Sequence, residues 1–229
     1  MRPNQERVNN RNMPTTLITP FYDRAEAGQV LAKGLVQYAD DPDVLVLGLP
    51  RGGVAVAAEV ARALRAPLDV FVVRKLGVPG HEELAMGAIA SGNVRVLNDD
   101  VVRALRIPPD VIARVAAEEQ MELERREQLY RDGRAAADVH GRTAILVDDG
   151  LATGASMSAA VAALRQLGPK RIVVAVPVAA ASACEAFRAK VDEVVCAMTP
   201  ESFQAVGIWY NDFSQTTDDE VRALMGGRL

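Results

Sequence analysis

The chain has 229 residues, long for a single domain, which favours one core with a sizeable appendage over two full domains. Lys+Arg 26 against Asp+Glu 30 leaves a net charge of −4, so there is no basic field to hold a nucleic-acid backbone. With 49% hydrophobic and 24% charged residues, the composition is that of a folded globular protein and excludes a disordered one.

Cys184 and Cys196 have no second Cys or His at metal-ligand spacing, which excludes a structural zinc site. Both lie in apolar stretches and read as buried free thiols of a reducing compartment, their pairing being the less favoured alternative. The first twenty residues hold no apolar run of signal-peptide length, and no run of about eighteen apolar residues occurs anywhere. A soluble, cytoplasmic protein is expected.

Met1 to Thr16 is polar and aperiodic and reads as a flexible tail, extending to about residue 20. Asp23 reads as an N-cap, with Glu26 three residues on, opening a helix that sets Val30, Leu31, Leu35 and Val36 on one face. Short, wholly apolar runs follow at 44–49, 70–73, 143–148, 171–178 and 192–197. They are rich in β-branched residues and lack alternation, as suits strands covered on both faces. Amphipathic stretches at 54–65, 155–167 and 182–190 lie between them. The alternation predicts an α/β fold, a parallel sheet with helices on both faces and right-handed crossovers.

One stretch interrupts this rhythm. Two Gly-bearing short runs near 85–97 precede a charged helix from about Pro109 to Ala137. Residues 103–134 carry seven Arg and seven Asp or Glu, so the helix is neutral and dense in i,i+4 pairs such as Glu122–Arg126. It reads as a solvated arm or a subunit contact.

The most informative segment is Ile145-Leu-Val-Asp-Asp-Gly-Leu-Ala-Thr-Gly-Ala-Ser156. A buried strand ends in two acids, passes a Gly-containing loop and enters a helix whose first turn is small. There the free backbone N–H groups of Ala152, Thr153, Gly154, Ala155 and Ser156 converge on a phosphate, and the hydroxyls of Thr153 and Ser156 add donors. Asp148 and Asp149 stand at the strand's carboxyl end, where α/β folds bind ligands. Two adjacent carboxylates repel each other unless engaged, and ribose hydroxyls and a magnesium ion are suitable partners. Neither a Walker loop nor a dinucleotide fingerprint is present to explain the loop otherwise.

Val147 to Ser156 resembles the phosphoribosyl-pyrophosphate (PRPP) loop of type I phosphoribosyltransferases: apolar residues, two acids, a few variable residues, then Thr-Gly-x-Thr/Ser. The resemblance covers roughly residues 21 to 198. It implies a core over 21–198, with an inserted loop and helical arm at about 76–139, and a hood segment at 199–229 covering the active site.

Two further motifs gain meaning beside it. In Gly48-Leu-Pro-Arg-Gly-Gly53, Gly52 and Gly53 permit close backbone approach or positive φ, and Arg51 offers a fork for phosphate oxygens. The resemblance implies a pyrophosphate loop here, with a non-proline cis peptide. In Val73-Arg-Lys-Leu-Gly-Val-Pro-Gly80, Arg74 and Lys75 read as two cations at a strand end that would repel unless an anion lay between them. Adenine-type enzymes have a similar pair followed by a mobile loop that closes over PRPP, which here would include His81, Glu82 and Glu83.

Four of the ten aromatics, Phe203, Trp209, Tyr210 and Phe213, fall within eleven positions. They serve either as core packing or, if the hood holds, with Trp209 or Tyr210 as a wall of the acceptor pocket. The acid that precedes Thr-Gly in hypoxanthine-type enzymes is replaced by Ala152, which argues against a 6-oxopurine acceptor.

The activity implied is transfer of the 5-phosphoribosyl group of PRPP to a nitrogenous acceptor, releasing pyrophosphate, with Mg2+ bridged mainly by substrate and Asp148 and Asp149 nearby. Arg51, Gly52, Gly53, Arg74 and Lys75 would hold pyrophosphate, and Glu82 or Glu83 would act as acid or base. The partners implied are PRPP, a small-molecule acceptor and a second copy of the chain, without nucleic acid or membrane. The alternative is a PRPP-binding regulatory protein that performs no transfer.

Overall fold

The computed structural model describes residues 19–226. The expected tail lies outside them, except for its last two residues. In chain order the elements are α1 (Arg24–Lys33), β1 (Val44–Gly48), α2 (Gly52–Leu64), β2 (Leu68–Val70), β3 (Val73–Val78), β4 (His81–Ala90), β5 (Val94–Leu97), α3 (Asp99–Ala104), α4 (Pro109–Arg131), β6 (Thr143–Val147), α5 (Ala155–Gln166), β7 (Arg171–Val178), α6 (Ala181–Arg188), β8 (Glu193–Met198) and α7 (Asp218–Met225).

Five strands form a parallel sheet in the order β2-β1-β6-β7-β8. Every residue of β1 and β6 is buried, which is why their sequences are apolar without alternation. Val44 and Val46 pack under α1 and α2 on one face. Leu45 and Leu47 pack under α5 and α6 on the other. From β1 the chain crosses through α2 to β2 on one side and resumes at β6 on the other, so β1 and β6 flank the switch point where such sheets bind ligands. Asp23 caps α1 as expected, accepting from Glu26 N–H at 2.9 Å. Leu31 and Leu35 face the core, but Val36 is 66% exposed, because the helix ends at Lys33 and the chain turns away.

The apolar run 70–73 is not one strand. β2 stops at Val70, and Val73 opens a separate antiparallel sheet of order β3-β4-β5. His81, Glu82 and Glu83, expected in a loop, are the first residues of β4, across a tight turn in which Gly80 takes φ +80.

Nor is α4 a free arm. Ile112, Ala116, Leu123 and Tyr130, spaced to share one face, are buried against β3, β4 and α7. The Glu122–Arg126 pair forms at 2.7 Å on α4, where Arg125 and Arg126 together hold the Glu122 carboxyl down at about 2. The helix ends at Arg131 rather than Ala137 because Asp132 and Gly133 turn left-handed, at φ 51 and φ 79. Arg131 fastens it to the sheet edge, its Nε donating to buried Asp69 of β2 at 3.0 Å and its Nη2 to Val70 O at 2.9 Å.

Cys184 and Cys196 form a disulfide, against the expectation of free thiols. Helix α6 is the crossover into β8 and packs on it, which brings positions twelve apart face to face. The cysteine argument for a reducing compartment falls with it. Among the described residues no helix is long and apolar enough to cross a membrane.

Candidate functional site

The loops leaving β1 and β6 meet at the switch point. Leu49 N–H donates to Val147 O at 2.9 Å, which locks them together. A Cβ on Gly53 would lie 2.7 Å from Val147 O and 2.8 Å from Asp148 Cα, and one on Gly52 would overlap Asp149 Oδ2. Close approach, not positive φ, is therefore why both positions are glycine. The Pro50–Arg51 peptide is cis, in the loop where the resemblance places such a bond.

Beyond the acids, Gly154 takes φ 71 and caps α5. A Cβ there would also strike Phe187 at 2.6 Å. The helix begins at Ala155, so Thr153 precedes its first turn and does not form part of it. Ala152, Thr153, Ala155 and Ser156 are exposed, leaving the first-turn N–H groups and both hydroxyls open to an anion.

The acid pair is asymmetric. Asp149 accepts from Arg24 Nε at 2.9 Å, while its backbone carbonyl accepts the Tyr210 hydroxyl. Arg24 also donates from Nη1 to Ser214 O at 2.8 Å and lies 4.1 Å from the Phe213 ring centre. Among the described residues the Asp148 carboxylate accepts only from Asp149 N–H, at 2.9 Å. Asp148 is half-buried. Burial, reinforced by the charge of Asp149, pushes its carboxyl up to about 8. Burial also raises Asp149, outweighing Arg24. Among the described residues no cluster of three or more His, Cys, Asp or Glu gathers to hold a metal. Two carboxylates suit a hard cation carried mostly by substrate oxygens, rather than a cage made by the protein alone.

The other candidates are dispersed. Arg51, at the N-cap of α2, leans toward Asp218 of α7 at 3.8 Å. Arg74 and Lys75 lie inside β3, where successive side chains point to opposite faces. Arg74 pairs with Glu119 of α4 at 2.6 Å. Lys75 turns the other way, into a cavity of about 310 Å³ shared with Glu83, Ala155 and Ser158, and so stands beside the start of α5. They do not flank a single anion as adjacent cations at a strand end would. Glu82 and Glu83 are exposed on the hairpin.

Tyr210 is buried between Phe21 and Phe213, at ring distances of 5.6 and 5.0 Å. Trp209 is half-buried, and its Nε1 has no hydrogen-bond partner among the described residues. Arg24 had no sequence signal at all. It belongs to no motif and meets Asp149 from 125 positions away.

This fold, with these loops at its switch point, is that of the type I phosphoribosyltransferase class. Residues 21–210 match the model of the family described as phosphoribosyl transferase domain, and the chain belongs to that family. It is similar to the crystal structure of TT1426 from Thermus thermophilus, with 46% identity and a TM-score of 0.81 over 90% of this chain and 98% of that one. It is also 50% identical over 205 residues to a protein of Mycobacterium tuberculosis H37Rv named provisionally as a phosphoribosyl transferase, and equally to one from strain CDC 1551 / Oshkosh. That match covers 90% of this chain and 46% of each relative, so the chain spans about half the length of the curated relatives it matches.

Proposed function

We propose that the chain transfers the 5-phosphoribosyl group of PRPP to a nitrogenous acceptor, a nucleobase in the simplest case, and releases pyrophosphate. One observation carries this reading. Gly52 and Gly53 pack directly on Asp149 and Asp148, so a glycine loop and an acid pair are in contact, and the same chain runs from the acids straight into the open start of α5.

In this reading Ala152, Thr153, Gly154, Ala155 and Ser156 take the 5′-phosphate on backbone N–H groups and hydroxyls. Asp148 and Asp149 accept from the ribose hydroxyls and orient the ring. Arg51, the Gly52 and Gly53 backbone and Lys75 face the pyrophosphate, with Arg74 bracing the base of the hairpin. Breaking the anomeric C–O bond puts positive charge on the sugar and negative charge on the leaving group, so fixed charges around those atoms supply most of the catalysis. A magnesium ion beside Asp148 and Asp149, held chiefly by the substrate, would neutralise the leaving pyrophosphate. The segment 199–226, with Trp209, forms the hood over the acceptor. Ala152, standing where hypoxanthine-type enzymes have an acid, favours an acceptor other than a 6-oxopurine.

The test is pyrophosphate release with PRPP, Mg2+ and a panel of purine, pyrimidine and small amine acceptors. Asp148→Asn with Asp149→Asn is expected to lower turnover by about a hundredfold or more, the scale of losing a preorganised charged contact. A double variant that binds and turns over PRPP normally refutes the assigned roles. Because burial raises the Asp148 carboxyl above its ordinary range and the ionised form is the stronger acceptor for ribose hydroxyls, ribose 5-phosphate should bind more tightly as pH rises through that raised titration and then level off.

The regulatory reading has one observation in its favour. Glu82 stands in solvent, its carboxyl held below the ordinary range by the backbone N–H groups of Glu82 and Gly80, which makes it a weak base. Calorimetric PRPP binding with no pyrophosphate release against any acceptor would decide for a sensor.

A further inference from the structure

The Arg24 side chain is only 12% exposed, and its charge is engaged at the acid pair and not in the apolar core. Its fork makes three separate contacts: Nε to Asp149, Nη1 to the Ser214 carbonyl, and its face on the Phe213 ring. Asp149 Oδ2 occupies the space that a side chain on Gly52 would fill. The Tyr210 hydroxyl holds the same residue by its backbone carbonyl. Asp148, by contrast, has no cation within salt-bridge distance among the described residues, and its carboxylate accepts a single backbone N–H.

We propose that Arg24 is a positioning residue that divides the acid pair, pinning Asp149 as the fixed member against the glycine loop and leaving Asp148 as the member open to the sugar hydroxyls. This rests on the phosphoribosyl-binding reading above and adds to it a residue outside every motif. It also gives the two ends of the chain a shared role. Helix α1 brings Arg24, and the segment after β8 brings Ser214, Phe213 and Tyr210, so both meet at one carboxylate. Lysine cannot replace the fork, because a single ammonium cannot reach the carboxylate, reach the carbonyl and stack on the ring together.

The experiment is calorimetric binding of ribose 5-phosphate with Mg2+ to the full chain, in a double-mutant cycle of Arg24→Gln and Asp149→Asn, with Arg24→Lys alongside. Arg24→Gln should weaken binding by about tenfold or more, as for loss of a hydrogen bond between charged groups. Arg24→Lys should recover part of that loss, about threefold. The double variant should bind no worse than Asp149→Asn alone, because Arg24 acts through Asp149.

A merely structural Arg24 predicts something different: a lower melting temperature, unchanged affinity in the folded fraction, and losses that add to those of Asp149→Asn. Either unchanged affinity or additive losses overturn the proposal while the phosphoribosyl reading stands. A wild-type chain that fails to bind ribose 5-phosphate sinks both. If Arg24→Gln does not fold, the cycle is run with Arg24→Lys, and additivity with Asp149→Asn is again the overturning result.

Discussion

Gly52 and Gly53 have no room for a methyl group against Asp149 and Asp148, whereas His81, Glu82, Glu83 and Leu84 at the tip of the β3–β4 hairpin all stand in solvent. The first region is pre-set by contact: two loops hydrogen-bonded to each other at the end of a fully buried parallel sheet. The second is fastened at its base, by the packing of β3 and β4 on α4, which Arg131 ties to Asp69 of β2, and by the contact of its sheet with α5. The transfer proposed above would need both kinds of element, a pre-set one to hold the sugar and one free to close and exclude water. Under the proposed reaction, ligand recognition falls to the packed half and closure to the exposed half.

The strongest way to break the comparison is to unfasten the second region at its base. Arg131→Met leaves the buried Asp69 carboxylate with backbone N–H donors but no cation, and should lower stability to urea by about 3–5 kcal/mol. Ribose 5-phosphate affinity of the folded fraction should be unchanged, and a matching loss of affinity would mean that the two regions are not separable.

A smaller effect is expected in the packed half. Gly53→Ala drives a methyl into backbone at 2.7 Å and should cost about 1–3 kcal/mol in a thermal melt, together with most of the pyrophosphate release. Retained activity in that variant would show that the loop yields and is not pre-set.

The smallest effect sharpens the exposed side. Glu82→Ala with Glu83→Ala should change stability by less than about 0.5 kcal/mol, as surface substitutions do, and lower turnover without changing ribose 5-phosphate affinity. A change in affinity instead would place the hairpin in the ground-state site.

Much of the packed half was legible from the chain. The apolar runs at 44–49, 143–148, 171–178 and 192–197 each became a strand of the parallel sheet, because burial on both faces leaves a continuous local signature. The hairpin half was less legible. Leu76, Val78, Met86 and Ile89 are buried but spaced among glycines and charges, and the run at 70–73 is apolar although a boundary between two sheets falls inside it. Helix α4 was recognised, but its buried stripe of Ile112, Ala116, Leu123 and Tyr130 was masked by the dense ion pairs on its other face.

The elements that the chain determines by itself are those whose parts are contiguous: the two acids, the left-handed glycine cap and the small start of α5 lie within Asp148 to Ser156, and local backbone geometry alone makes them one unit with open N–H groups at the helix start. Tertiary structure decided which groups were brought to that unit and which were turned away. It carried Arg24 across 125 positions to Asp149, sent Arg74 and Lys75 to opposite faces of one strand, and joined Cys184 to Cys196. Such pairings depend on how helices seat on a sheet, and side-chain packing between distant segments leaves no trace in the spacing of either one.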